Sequence, residues 1–302
     1  MLGRVRGNEA FKKSVQAALQ AGRLSNSVLL CAEEGCGAGF AARCLAADFL
    51  FPEGGAAAEA VLAGRSSECI EVRGQGQRGE ILVGQARQVR GLVHETALSA
   101  AGRVVIFYGA HRMNPSASNA LLKVLEEPPA GVLFLLTAPS AAAVLATIRS
   151  RCGLFQLSPV SAAQCEAYLK ETCPDCPDPA LLARVYAGRI GPAKAAASDP
   201  AARRALDEAL ALAKAVGAAD RYETLRRLAA FEKDRAAAAR LLEDLACVSA
   251  AALEGVEGLG LSPAAAARCA EGCTEARRAL DRSLNQKLLF TLLAANLCEA
   301  AG

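Results

Sequence analysis

A short apolar strand, Ser27-Val28-Leu29-Leu30-Cys31, runs into the glycine-rich turn Gly35-Cys36-Gly37-Ala38-Gly39. The spacing then places a helix over Phe40–Phe51. This junction constrains the fold more than any other feature of the chain. A strand that feeds a helix passes on to a parallel neighbour through that crossover, and a parallel sheet must be covered on both faces. The next residues repeat the pattern. Glu68–Val72, Arg103–Tyr108, Val132–Thr137 and Leu154–Leu157 read as strands, the middle two as the near-continuous apolar runs of buried ones. Helical spacing falls on Asn8–Ala21, with Phe11, Val15, Ala18 and Leu19 on one face, and on Gly79–Thr96. Asn8 reads as the N-cap of the first of these and Gly22 as its stop. Asn114-Pro115 opens a further helix, as cap and first helical residue, and Pro128-Pro129 must end it.

After Pro159 the strands stop. The pattern predicts an α/β domain over residues 1–158, a small helical domain over 159–200 and an all-α domain over 201–302, broken once near Gly255–Gly260. Composition agrees. The 302 residues are 53% apolar yet only 4% aromatic, without Trp, and alanine supplies much of the difference. Alanine loses no rotamer entropy in a helix, so thin, closely packed helices are expected. Disorder is excluded at this apolar content. With 34 Lys and Arg against 31 Asp and Glu, the net charge of +3 speaks against a stand-alone DNA binder. The apolar runs Val132–Ala138 and Leu288–Leu297 fall short of the ~20 residues of a membrane span. Met1–Arg6 leads into no apolar signal-peptide core, and a cytoplasmic location is expected.

The strand–turn–helix junction has the shape of a phosphate-binding loop, G-x-x-x-x-G-K-[ST], whose lysine reaches phosphates and whose hydroxyl ligates magnesium. Aligned on its glycines, the chain reads Ala32-Glu33-Glu34-Gly35-Cys36-Gly37-Ala38-Gly39. Ala38 stands at the lysine position and Gly39 at the hydroxyl position, while Glu33 and Glu34 bring negative charge. The strand expected to end in a metal-binding acid ends Ile106-Phe107-Tyr108-Gly109 instead. Nucleotide hydrolysis at this loop therefore lacks both its cation and its metal ligand. No cofactor is expected at Gly35, Gly37, Ala38 and Gly39; read blandly, they make a tight turn.

Residues 113–152 carry the most specific pattern. Asn119-Ala120-Leu121-Leu122-Lys123 is followed by Leu125-Glu126-Glu127-Pro128-Pro129, a strand, and then Thr147-Ile148-Arg149-Ser150-Arg151-Cys152. This combination resembles the clamp-loader branch of the AAA+ ATPases. With the altered loop and the acid-free strand, it resembles that branch's delta-prime family of bacterial DNA polymerase III. Ala21–Ser25, Ala187–Ala195 and Leu280–Leu288, with Asn285 and Leu288, extend the likeness, the last as a final collar helix.

The resemblance implies an AAA+, P-loop NTPase-like parallel-sheet domain followed by a small helical lid and an all-α collar that serves oligomerisation. It implies a rigid, non-hydrolysing subunit in an open ring of five, which loads the sliding clamp onto primed DNA. Its partners would be the gamma/tau ATPase and delta subunits, with the clamp and DNA reached indirectly and no membrane. Arg151 of the Ser150-Arg151-Cys152 triplet would act in trans on the neighbour's ATP, with Ser150 and Cys152 as motif support. A guanidinium is permanently charged and forks onto phosphate oxygens. Arg149 is the competing candidate, and a surface salt bridge is the bland reading of either. Thr137 stands where the family has a polar sensor, here expected to make a structural hydrogen bond. Lys123, Glu126 and Glu127 read either as an interdomain or intersubunit network or as a solvated helix end.

Many relatives carry a four-cysteine zinc module between the first helix and the second strand, where this chain has only Cys69, with Cys44 just upstream. No metal is expected. The one CxxC, Cys173-Pro174-Asp175-Cys176, lacks a second ligand pair and reads as a turn. The other thiols read as small buried hydrophobes in a disulfide-free chain. Two rivals remain: an ATPase-dead AAA+ adaptor in another DNA-metabolism assembly, and an active motor subunit, which Ala38 and Gly39 disfavour.

Overall fold

The computed structural model describes residues 1–75, 79–94, 102–282 and 285–298. The chain divides into two compact units, Met1–Val160 and Ser161–Gly302.

The first unit is a five-stranded parallel sheet in the order β2-β3-β4-β1-β5. Its strands are β1 Ser27–Cys31, β2 Cys69–Val72, β3 Arg103–Phe107, β4 Val132–Ala138 and β5 Gly153–Gln156. All seven residues of β4 are buried, as its place between β3 and β1 requires. Side chains alternate between two cores. Val28, Leu30, Val104, Ile106, Leu133 and Leu135 face α1 (Glu9–Gln20), α2 (Ala38–Leu50) and α3 (Gly55–Leu62). Leu29, Cys31, Val105, Phe107, Phe134 and Leu136 face α4 (Val83–Leu92), α5 (Pro115–Glu126) and α6 (Ala146–Arg149). The sheet is thus covered on both faces, as parallel strands demand.

Three local expectations are corrected, and one helix was not expected. The helix expected over Gly79–Thr96 begins at Val83, because Ile81 is fully buried in an isolated bridge to Met113. The Gln85 side chain accepts from the Leu82 N–H there, and Thr96 lies outside the described residues. Asn8 precedes α1 without capping it. Its amide instead donates to the Ser158 carbonyl and accepts from the Ser158 N–H, at 3.0 and 2.8 Å. β5 starts one residue early; it is an edge strand, alternating between exposed and half-buried residues. α3 gave no sequence signal, since its anchors are only Ala58 and Val61 in an alanine-rich stretch. By contrast, Asn114 caps α5 as expected, its Oδ1 accepting from the Ala117 N–H at 2.8 Å.

The second unit is helical throughout its described residues. Its helices are α7 Ala162–Thr172, α8 Pro179–Val185, α9 Ile190–Ser198, α10 Pro200–Gly217, α11 Arg221–Ala229, α12 Arg235–Leu253, α13 Pro263–Asp281 and α14 Gln286–Cys298. A buried polar knot ties the turn after α8 to α12. The Tyr186 hydroxyl donates to Asp244 at 2.9 Å, and Arg240 Nε donates to the other carboxylate oxygen at 2.9 Å. Arg189 donates to Cys247 Sγ, and that thiol is half-buried where the alanine-rich context suggested full burial. The stretch Leu280–Leu288 is a junction and not a single helix. α13 ends at Asp281, residues 283–284 lie outside the described residues, and Asn285 Oδ1 accepts from the Lys287 and Leu288 N–H groups to start α14. No helix among the described residues is long and apolar enough to cross a membrane.

Candidate functional site

The order of the sheet reverses at β1, and the crevice beyond the carboxyl ends of such strands is where open α/β sheets bind ligands. The glycine loop lies there, between β1 and α2. Gly35 and Gly37 take φ of +88° and +85°, a left-handed backbone that side-chain-bearing residues rarely adopt. Ala38 and Gly39 open α2, and Glu33 and Glu34 are exposed beside them. The loop therefore keeps its shape while presenting carboxylates and no cation.

Tyr108 immediately follows β3, where an acid would hold magnesium, and its ring lies against Gly39. A Cβ on Gly39 would stand 2.9 Å from Tyr108 Cε1. The Tyr108 hydroxyl accepts from Arg43 Nε at 3.1 Å, and Arg43 also grips Glu71 with Nε and Nη2, at 2.5 and 2.8 Å. Arg73 lies 3.8 Å over the Tyr108 ring. Burial pushes the Tyr108 hydroxyl up to about 12. Burial also pushes Glu71 upward, but the hydrogen bond and charge of Arg43 outweigh it and hold the carboxylate below its usual range. Tyr108 thus sits as an aromatic ring within an ionic clasp of Arg43, Glu71 and Arg73, against the start of α2. Sequence reasoning missed this cluster, because Arg43, Glu71 and Tyr108 are far apart in the chain and share no motif.

Thr137, near the end of β4, accepts from the Gly109 N–H through Oγ1 at 3.0 Å. It thus makes the structural hydrogen bond expected of it.

Ser150-Arg151-Cys152 joins α6 to β5. Cys152 points inward: its thiol donates to the Ile148 carbonyl at 3.3 Å, and burial pushes it up to about 12. Ser150 donates to the Thr147 carbonyl at 3.3 Å. Arg151 points outward. Its Nε donates to Glu126 Oε1 at 2.7 Å, Nη2 donates to the same oxygen, and Nη1 donates to the Thr147 carbonyl at 2.7 Å. Leu125, Glu126, Ser150 and Arg151 line one open recess. With 28% and 47% of the two side chains exposed, the Arg151–Glu126 pair contributes less than ~1 kcal/mol. Arg149 turns elsewhere, to the Ala141 carbonyl at 3.3 Å. Lys123 and Glu127 are exposed and form no ion pair among the described residues. Of the three charged groups at the end of α5, the structure thus joins only Glu126 to the arginine.

The loop and the arginine lie at opposite ends of paired strands. β1 and β5 run parallel, Val28 beside Gly153 and Cys31 beside Gln156. The loop follows the carboxyl end of β1, whereas Arg151 precedes the amino end of β5. Among the described residues no three His, Cys, Asp or Glu side chains converge as a metal site would require. In the CxxC, Cys173 is buried and Cys176 half-buried, within a turn closed by Cys176 N–H to the Cys173 carbonyl at 3.0 Å.

A parallel sheet in this order, with a glycine loop after β1 and helices on both faces, defines the AAA+ class of P-loop folds, here followed by a helical unit. A solved structure of a DNA polymerase III gamma subunit-related protein from Thermotoga maritima has the same fold, with a TM-score of 0.56 at 17% identity, covering 95% of this chain and 99% of that one. The family model described as "DNA polymerase III, delta subunit" matches residues 7–161, and the chain belongs to this family, as a delta-prime-like clamp-loader member. The DNA polymerase III subunit delta' of Haemophilus influenzae is 46% identical over 79 residues, 26% of this chain and 24% of that protein. The delta' subunit of Escherichia coli K12 is 36% identical over 149 residues, 48% of this chain and 44% of that protein. The matched stretches thus span 24% and 44% of the length of these relatives.

Proposed function

We propose that this chain is a non-hydrolysing subunit of a DNA polymerase III clamp loader and supplies Arg151 to the nucleotide site of a neighbouring ATPase subunit. The observation that carries this reading is the placement of Arg151 at the end of the β1–β5 pair opposite to the chain's own loop. That placement sets the guanidinium apart from the chain's own loop and supports a role toward a nucleotide held by another chain. The loop itself has neither lysine nor hydroxyl, and the Tyr108 ring packs on Gly39 at its end.

In this role the chain uses no cofactor or metal of its own. Its ATPase neighbour is of the gamma/tau type and its other partner is the delta subunit; the sliding clamp and primed DNA are reached through the assembly. Residues 159–200 act as a lid and 201–302 as a collar. An apolar surface on two packed helices supports the collar reading. Tyr222 and Leu225 of α11, and Leu288 and Leu292 of α14, are all exposed. An arginine supplied in trans contributes ~10³–10⁵ in rate in well-studied phosphoryl-transfer systems. The test is reconstitution of the loader with Arg151→Ala: a folded, assembling subunit whose complex turns ATP over far more slowly supports the role, and an unchanged rate excludes it.

A further inference from the structure

Arg151 does not hang free at the surface. A guanidinium carries five N–H donors, and their uses here differ by edge. The side edge, Nε–H and one Nη2–H, goes to Glu126 Oε1. One Nη1 hydrogen goes back to the Thr147 carbonyl at 2.7 Å, with Ser150 Oγ a longer 3.3 Å from the same nitrogen. Nη1 and Nη2 also make up the terminal edge, the fork whose spacing matches two oxygens of a phosphate.

Glu126 stands at an unfavourable place for an acid. It is the last residue of α5, where the helix dipole opposes negative charge. Its neighbour Glu127 is an exposed glutamate as well, yet only Glu126 meets the arginine. Helix α5 runs back against the strands, and this brings its carboxyl end beside the amino end of β5, 25 residues further along the chain.

We propose that Glu126 is a positioning residue for Arg151: its carboxylate holds the side edge of the guanidinium so that the terminal fork faces outward, toward a phosphate on the neighbouring subunit. The proposal rests on the reading of Arg151 given above. Glu126 touches no nucleotide itself. It confines a long, rotamer-rich side chain before the phosphate arrives, and such pre-ordering lowers the entropic cost of reaching the reactive geometry.

The experiment uses the full chain, reconstituted with the ATPase and remaining subunits, and reads assembly by gel filtration and kcat and KM for ATP by steady-state turnover. Glu126→Ala should assemble and lower kcat about tenfold with little change in KM. Glu126→Gln keeps an acceptor oxygen for Nε and Nη2 and should recover most of the rate. In an Arg151→Ala background, Glu126→Ala should slow turnover no further. Wild-type kcat for Glu126→Ala beside a slow Arg151→Ala complex overturns the positioning role and leaves the arginine role standing. A wild-type rate for Arg151→Ala removes both. A further loss from Glu126→Ala in the Arg151→Ala background, or failure of both Glu126 variants to assemble, shows that Glu126 acts elsewhere and also overturns the proposal.

Discussion

The ring of Tyr108 occupies the space that a side chain on Gly39 would need, with Tyr108 Cε1 2.9 Å from the position of a Cβ there. The residue where magnesium's hydroxyl ligand would stand and the residue where its carboxylate would stand are therefore in mutual contact. Repair of the loop alone should fail. Ala38→Lys with Gly39→Thr is expected to show no tight, magnesium-dependent ATP binding by calorimetry, and to cost about 1–3 kcal/mol through overpacking against the ring. Adding Tyr108→Asp should relieve the clash. Micromolar binding by the two-residue variant would show that the ring is no obstacle.

Arg149 and Arg151 are separable. Arg149 spends its guanidinium on the Ala141 carbonyl at 3.3 Å, while Arg151 is held at the rim by Glu126. Arg149→Ala should therefore keep ATP turnover of the assembled loader within about twofold, against a loss of two or more orders of magnitude for Arg151→Ala. Equal losses from both would assign the role wrongly.

The Tyr186–Asp244–Arg240 knot sets a stability prediction. Tyr186→Phe leaves one oxygen of the buried Asp244 without its donor and should cost about 1–3 kcal/mol in chemical denaturation. Asp244→Ala, which strands both Tyr186 and Arg240, should cost more. A neutral Tyr186→Phe would mean that water replaces the hydroxyl.

Stability should fall at alkaline pH. Burial pushes Cys44, Cys69 and Cys152 up to about 12 from the ordinary thiol value of 9.0, and Tyr108 up to about 12 from 10.0. Each folded-state value lies above the unfolded one, so the folded chain holds more protons than the unfolded chain in this range. The stabilisation is complete below about pH 9 and is lost as pH rises through about 12. A Tm that declines across this window, recorded by circular dichroism, is the expected result; a flat Tm to pH 12 would contradict it.

Metal analysis of the purified chain should return no stoichiometric zinc. Among the described residues Cys173 and Cys176 meet no second ligand pair, and burial raises the Cys44 and Cys69 thiols away from the thiolate form that zinc needs. One zinc per chain would reverse this conclusion.

Much of this protein could be read from neighbouring residues alone. Apolar runs and the alternation of Glu68–Val72 marked five strands, Asn114-Pro115 marked the start of α5, and the lack of lysine and hydroxyl at Ala38 and Gly39 was plain in the letters. These signals are local, since side-chain period, caps and loop chemistry each act within a few residues. The order of the strands was not legible, nor was the choice of Asn8 to bind Ser158 instead of capping its own helix. Both depend on which distant segments meet. The same holds for the site. The sequence named Arg151 and left Lys123, Glu126 and Glu127 undivided; parallel pairing of β1 with β5, and the return of α5 to the amino end of β5, selected Glu126. That selection, and the packing of Tyr108 on Gly39, arise from contacts across 25 and 69 positions of chain, between residues no local pattern links.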